Sequence, residues 1–75
     1  MTPYANPKSG IVAYEYGDDW IRVRYKTGET YEYKSPPIDR EHIKTMKGLA
    51  DSQDDLGTYI NTHRDAVYSK CVKLS

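Results

Sequence analysis

Apolar and polar side chains alternate without interruption over residues 20–26. Ile21, Val23 and Tyr25 fall on one side, and Trp20, Arg22, Arg24 and Lys26 on the other. A period of two marks a strand with one face turned to a core. Upstream, Ile11-Val-Ala-Tyr-Glu-Tyr16 is β-branched and aromatic, which predicts a strand over 11–16. Gly17-Asp18-Asp19 supplies a turn between the two. Thr27-Gly28 marks a second turn, after which Tyr31 and Tyr33 share one face of a third strand.

Turn length sets the register of this hairpin. A two-residue Thr27-Gly28 loop would put Arg24 opposite Tyr31 and demand positive φ at a β-branched threonine. A three-residue Lys26-Thr27-Gly28 loop, with Gly28 left-handed, puts Val23 opposite Tyr31 and Ile21 opposite Tyr33. It gives one continuous apolar face and is the expected register. An even-length first turn adds Val12, Tyr14 and Tyr16 to that face. Ile11 and Ala13 are also apolar, so a bulge in the first strand would shift this assignment.

Ser35-Pro36-Pro37 stops the third strand, because proline has no N–H for a ladder. Asp39 is placed as a helix N-cap, with Ile38 and Ile43 spaced as a hydrophobic staple. Ile43, Met46, Leu49 and Ala50 make one helical stripe, and Gly48 either ends this helix or is tolerated in its last turn. Ser52-Gln-Asp-Asp55 has the spacing of a capping box for a second helix with Leu56, Tyr59, Ile60, His63 and Val67 as its apolar stripe. Cys71, Val72 and Leu74 either extend that helix or form a short irregular tail. The expected fold is α+β: a three-stranded antiparallel meander with two C-terminal helices packed on one face, β-β-β-α-α, the other face open. Residues 1–8 hold two prolines and no apolar period, and read as a flexible leader before a single domain over 9–75.

Composition sharpens the picture. A chain of 75 residues forms one small core. It has eight Tyr and no Phe, so several rings belong at the core's edge, where their hydroxyls reach partners. Eleven basic and eleven acidic residues cancel, which excludes a protein held to nucleic acid by bulk charge but leaves room for a local patch. One cysteine makes no intramolecular disulfide, and no apolar run approaches the ~20 residues of a membrane span. No signal-peptide pattern opens the sequence, so a cytoplasmic location without membrane contact is the expectation.

Ser9-Gly-Ile11, Ile21-x-Val23-x-Tyr25, Lys26-Thr-Gly28, Tyr31-Glu-Tyr33, Pro36-Pro37, Ala50-Asp-Ser52 and Gly57-Thr-Tyr59-Ile-Asn61 occur in that order over about residues 9–68. In this the chain resembles the KTSC domain family. That family is named for its place at the C-terminus of some lysyl-tRNA synthetases, and is also found as a free-standing bacterial or phage protein. It reads as Ser-x-Ile, an alternating strand, a Lys/Asp-Gly turn, Tyr-x-Tyr, Pro, Ala-x-Ser and Gly-x-Tyr/Phe-x-Asn. Arg64 and Tyr68 stand near its later basic residue and Tyr. The resemblance implies RNA binding, by association with the synthetase.

The residues offer one main candidate surface. Trp20, Arg22, Arg24 and Lys26, with Lys34 across the hairpin, would stack bases and hold phosphates on the open sheet face. The same side carries Glu15, Thr30 and Glu32, and cross-strand Arg–Glu pairs would make it an ordinary solvated face. Tyr31 and Tyr33 are expected to pack inward rather than to bind. Asn61 and Arg64, three apart beside Gly57, Tyr59 and His63, would share a helical face able to hold an anion or a partner's backbone. Their plain alternative is a solvated helix.

His42, His63 and Cys71 lack the ligand spacing of a zinc site. No metal and no cofactor are expected, and His63 reads as a satisfied core histidine. The paired aspartates at 18–19 and 54–55 suit turns and caps, and no Gly-rich phosphate loop is present. No acid, base or nucleophile is assembled, so a non-enzymatic binding module is expected. Its partner would be RNA or single-stranded nucleic acid on the open face. The alternative is a protein partner, or a second copy, on the same Trp/Arg face or on a strand edge.

Overall fold

A computed structural model describes residues 1–6 and 10–74. The central hairpin pairs β3 (Trp20–Tyr25) with β4 (Thr30–Lys34). Ile21 lies opposite Tyr33 and Val23 opposite Tyr31, the register that the three-residue turn predicts. Gly28 sits at φ +95°, a conformation open to glycine alone at little cost. The Gly28 N–H donates to the Tyr25 carbonyl at 2.9 Å and closes the turn.

β2 (Ile11–Tyr16) pairs antiparallel with β3 and carries a bulge between Ile11 and Ala13. The bulge changes which residues face the core. Ile11 and Tyr14 are buried, whereas Val12 and Tyr16 are exposed. The expected inward set of Val12, Tyr14 and Tyr16 is therefore corrected: the extra residue turns Val12 out and Ile11 in. Tyr16 is still opposite Ile21, but its hydroxyl runs out to Asp51 at 2.7 Å.

Two further strands widen the sheet to five, in the order β1-β2-β3-β4-β5. β1 (Thr2–Pro3) pairs with β2, and β5 (Val72–Lys73) pairs with β4. The three-stranded expectation is corrected at both ends. The leader is corrected over residues 1–6: Thr2–Pro3 joins the ladder, and Tyr4 is buried in the core. Residues 7 and 8 of that expected leader, and Ser9 of the opening motif, lie outside the described residues. Within the tail, Val72–Lys73 forms a short edge strand, flanked by Cys71 and Leu74, instead of a helical extension.

Both helices pack on one sheet face. α1 (Arg40–Asp51) starts at Asp39, whose side chain accepts the Glu41 N–H at 2.9 Å. Ile38 and Ile43 are both buried, as the staple requires. The helix runs through Gly48. It ends in a left-handed corner, with the Gln53 N–H on the Ala50 carbonyl and the Asp54 N–H on the Leu49 carbonyl. This is the Schellman pattern, and Gln53, at φ +58°, stands where glycine is usual.

The proposed capping box is corrected accordingly. Ser52 closes α1, and its hydroxyl donates back to the Gly48 carbonyl. Asp55 instead caps α2 (Leu56–Thr62), accepting the Thr58 N–H at 3.0 Å and its hydroxyl at 2.6 Å. α2 is shorter than its apolar stripe suggested, because the chain leaves the helix after Thr62. Val67 reaches the core from a turn that precedes a 3₁₀ segment, Tyr68–Lys70.

Ile21, Val23 and Tyr33 from the sheet meet Ile38, Ile43, Met46, Leu56, Ile60 and Val67, all excluded from solvent. Burying each such apolar side chain contributes about 1.5–3 kcal/mol. Among the described residues no helix packs on the opposite sheet face.

Candidate functional site

The uncovered face is set out by the strand registers. Glu15, Arg22 and Glu32 form one row across β2, β3 and β4, and Val72 of β5 stands next to Glu32. Ala13, Arg24 and Thr30 form the next row, with Leu74 beside Thr30 through a backbone bond of 2.8 Å. Trp20 and Lys34 form the row at the other end. The structure thus brings Trp20, Arg22, Arg24 and Lys34 onto one surface.

Arg22 sits at the centre of that surface and is paired with a carboxylate on either side. Its Nε donates to Glu32 at 2.8 Å and its Nη1 to Glu15 at 3.1 Å. Its guanidinium also lies 4.5 Å from the centre of the Trp20 ring. The hydrogen bonds to Glu32 and then Glu15 raise its pKa further, so the charge is permanent but locally cancelled. Arg24 donates to the Thr30 hydroxyl at 3.3 Å. Arg24 and Lys34 are exposed and have no carboxylate partner among the described residues.

Gly17 fixes the tryptophan. A Cβ at this position would stand 2.3 Å from the indole Nε1 and 2.6 Å from Cε2. The ring therefore packs directly against the glycine, with Arg22 beside it. The sequence identifies Trp20 but not this seat, since a glycine after a strand reads first as a turn residue.

Lys26 and Asn61, assigned to different clusters by sequence, meet at a cleft of about 330 Å³ on the helix side of the sheet. Tyr25, Tyr31 and Tyr68 give the cleft aromatic walls, and Gly57 of α2 faces it. Tyr31 is half-buried, with its ring edge-on to Tyr25 at 5.7 Å, whereas Tyr33 lies wholly in the core. Gly10, Thr27 and Glu29 complete the lining. The end of β3, the turn after it, α2 and the 3₁₀ segment thus converge here, although they are far apart in sequence. Tyr68 belongs to the 3₁₀ segment, and no periodic signal joins it to Tyr25.

Arg64 does not join Asn61. The helix ends at Thr62 with His63 as its C-cap, so the expected shared helical face does not exist. His63 is also corrected: it is half-buried at the helix end, not a core residue. Its ring stacks on Tyr59 at 4.1 Å, and its Nδ1 is 2.8 Å from the Tyr59 carbonyl. His42 Nδ1 is 2.7 Å from the Tyr59 hydroxyl. Cys71 is partly buried, and burial raises its thiol pKa, away from a reactive thiolate.

Among the described residues there is no group of three or more His, Cys, Asp or Glu able to hold a metal ion. No helix among them is long and apolar enough to cross a membrane. Compared with known proteins, the chain matches no family model, no curated protein and no solved structure.

Proposed function

We propose that this chain is a small non-enzymatic binding module whose open sheet face docks a protein. The observation that carries this reading is the Arg22 arrangement: stacked on Trp20 and paired with both Glu15 and Glu32. A phosphate backbone would find the central cation already neutralised and two carboxylates beside it, which removes the counterion-release drive of nucleic-acid binding. A protein partner gains from the same centre, because Trp and Arg held rigid before binding are favoured anchors. Val72 and Leu74, each 47% exposed, add apolar surface to the face. Arg24 and Lys34, which have no ion pair among the described residues, fit carboxylates at the partner's rim. The strand-edge alternative has less support, since both edges are only two residues long and carry Pro3 and Lys73.

A photo-crosslinking residue at position 24 tests this in cells. The expected adduct is destroyed by protease, resists ribonuclease, and disappears in the Trp20→Ala background. An adduct of the chain with itself would make the partner a second copy. A ribonuclease-sensitive adduct, or one indifferent to Trp20→Ala, would overturn the reading. In vitro, single-stranded RNA should leave Trp20 fluorescence flat at low and physiological salt. Salt-sensitive quenching would return the face to nucleic acid.

A further inference from the structure

The cleft on the helix side has a chemistry of its own. Its polar groups are unequally committed. The Tyr25 hydroxyl turns inward to Tyr33 at 3.4 Å, and the Tyr31 hydroxyl donates to Glu29 at 3.3 Å. Glu29 is held by Lys73 at 3.0 Å and also accepts from the Thr27 hydroxyl at 3.2 Å. What remains toward the cavity is aromatic surface, one amide and one cation. The Asn61 amide makes no side-chain hydrogen bond among the described residues, and Lys26 has no carboxylate partner there.

These leftovers select a ligand. Tyr25 and Tyr31, set at 79° to each other, could cage a cation. The one acid in the lining is already spent on Lys73, however, and Lys26 brings positive charge, so an ammonium guest is disfavoured. A planar, neutral, hydrogen-bonding ring with an anion attached meets all the free groups. The rings stack it, the amide offers a donor and an acceptor side by side to its edge, and the lysine holds the anion. A volume of about 330 Å³ lies within the usual ~300–1,000 Å³ of small-molecule sites.

We propose that this cleft binds a nucleobase with its phosphate, stacked on Tyr31 and Tyr68, read by Asn61 and held by Lys26. The site is separate from the Trp20 face. Tyr25 stands five residues beyond Trp20 on β3, roughly 17 Å away.

Calorimetric titration with AMP, with ribose 5-phosphate and with a single-stranded RNA pentamer tests the proposal. AMP is expected to bind at least tenfold more tightly than ribose 5-phosphate. Asn61→Ala and Tyr68→Ala are each expected to weaken it about tenfold or more. Both side chains are exposed, so unchanged urea midpoints will separate lost binding from lost folding. Arg22→Ala on the opposite face should leave the affinity unchanged. If the pentamer binds more tightly than AMP, the source is a nucleic-acid strand; if the two are equal, it is a free nucleotide. Equal affinity for AMP and ribose 5-phosphate, binding indifferent to Asn61→Ala and Tyr68→Ala, or no heat with any of the three would overturn the proposal. So would choline binding where AMP does not.

Discussion

The Tyr4 hydroxyl accepts the backbone N–H of Leu56 at 3.1 Å, across 52 residues of sequence. The same hydroxyl donates to the Asp54 carbonyl, so one oxygen serves both backbone groups of the corner between the helices. Asn6 adds a bond from its Nδ2 to the Gln53 carbonyl at 2.9 Å. The first residues are thus a clasp on the left-handed corner. Tyr4→Phe keeps the ring but removes both bonds of the hydroxyl, leaving the Leu56 N–H with the Asp54 carbonyl at 2.8 Å alone. A loss of about 0.5–1.5 kcal/mol is expected, read as a lower urea midpoint with unchanged slope.

Asp51 is a second tie between sheet and helix. Its Oδ1 accepts from Tyr14 at 2.8 Å and its Oδ2 from Tyr16 at 2.7 Å. These bonds, from Tyr16 first and then Tyr14, hold the Asp51 carboxyl below the usual carboxylate range. A lowered folded pKa means stability that is present above the unfolded value of ~3.9 and lost as pH falls through the folded one. Asp51→Asn should be less stable than wild type at pH 6, and the gap should close toward pH 2. A gap independent of pH would exclude the charged form as its source.

The same tie has an alkaline counterpart. Burial first, then the bond to Asp51, pushes the Tyr14 hydroxyl up to about 12. A raised folded pKa gives stability that is complete below the unfolded value of ~10 and is lost as pH rises from there toward 12. Buried Tyr33 is raised in the same direction, again by desolvation first. Denaturant midpoints should therefore fall steeply above pH 10. Tyr14→Phe should make that fall shallower.

Gly17→Ala tests the tryptophan seat. The added methyl would overlap the indole, so the ring must swing off the sheet and away from Arg22. Trp20 emission should shift to the red, and acrylamide should quench it more. The Trp20→Ala background controls for any change in fold, since Gly17→Ala should then cost little.

Gly28→Ala addresses the hairpin. With φ at +95°, an L side chain is strained there although space around it is open. A cost of about 1–2 kcal/mol is expected, and it should come from backbone strain alone. Gly48→Ala is the contrasting case: it sits inside α1 with nothing near its Cβ position, and should stabilise by up to about 1 kcal/mol.

The central hairpin and the first helix were legible in sequence because each rested on two agreeing signals. Alternation and the Gly28 turn gave one register for β3 and β4, and the Asp39 cap and the Ile38–Ile43 staple gave one start for α1. The helix corner misled because Ser52 and Asp55 have the spacing of a cap, and the Schellman turn was completed by Gln53, a residue with no left-handed signature. The two edge strands were illegible for a different reason. A run of two residues carries no period, and Thr2–Pro3 and Val72–Lys73 owe their strand form to neighbours already in place. On the uncovered face, alternation placed Trp20, Arg22, Arg24 and Lys34 together, but Lys26 lies past the strand end and lines the cleft on the helix side instead. Their pairing was left open, because whether Arg22 is free or spent depends on rotamers. The cleft was invisible, being built from the ends of elements rather than from any one of them.

Strand order in this sheet equals chain order, so each strand pairs only with those adjacent to it in sequence. The first four strands can zip outward from the hairpin with little loop entropy lost at each step, whereas β5 reaches β4 only after both helices have been laid down. The sheet's protection against hydrogen exchange should be graded in the same way. Amides of Ile21 and Val23 in the middle should exchange only with global unfolding, and those of Val72 and Lys73 through local fraying. The other margin should behave differently, because there Tyr4 anchors the edge to the helix corner. The two sides of one small sheet would then open on different timescales, and β5, whose Val72 is followed by exposed Leu74, is the side that opens first.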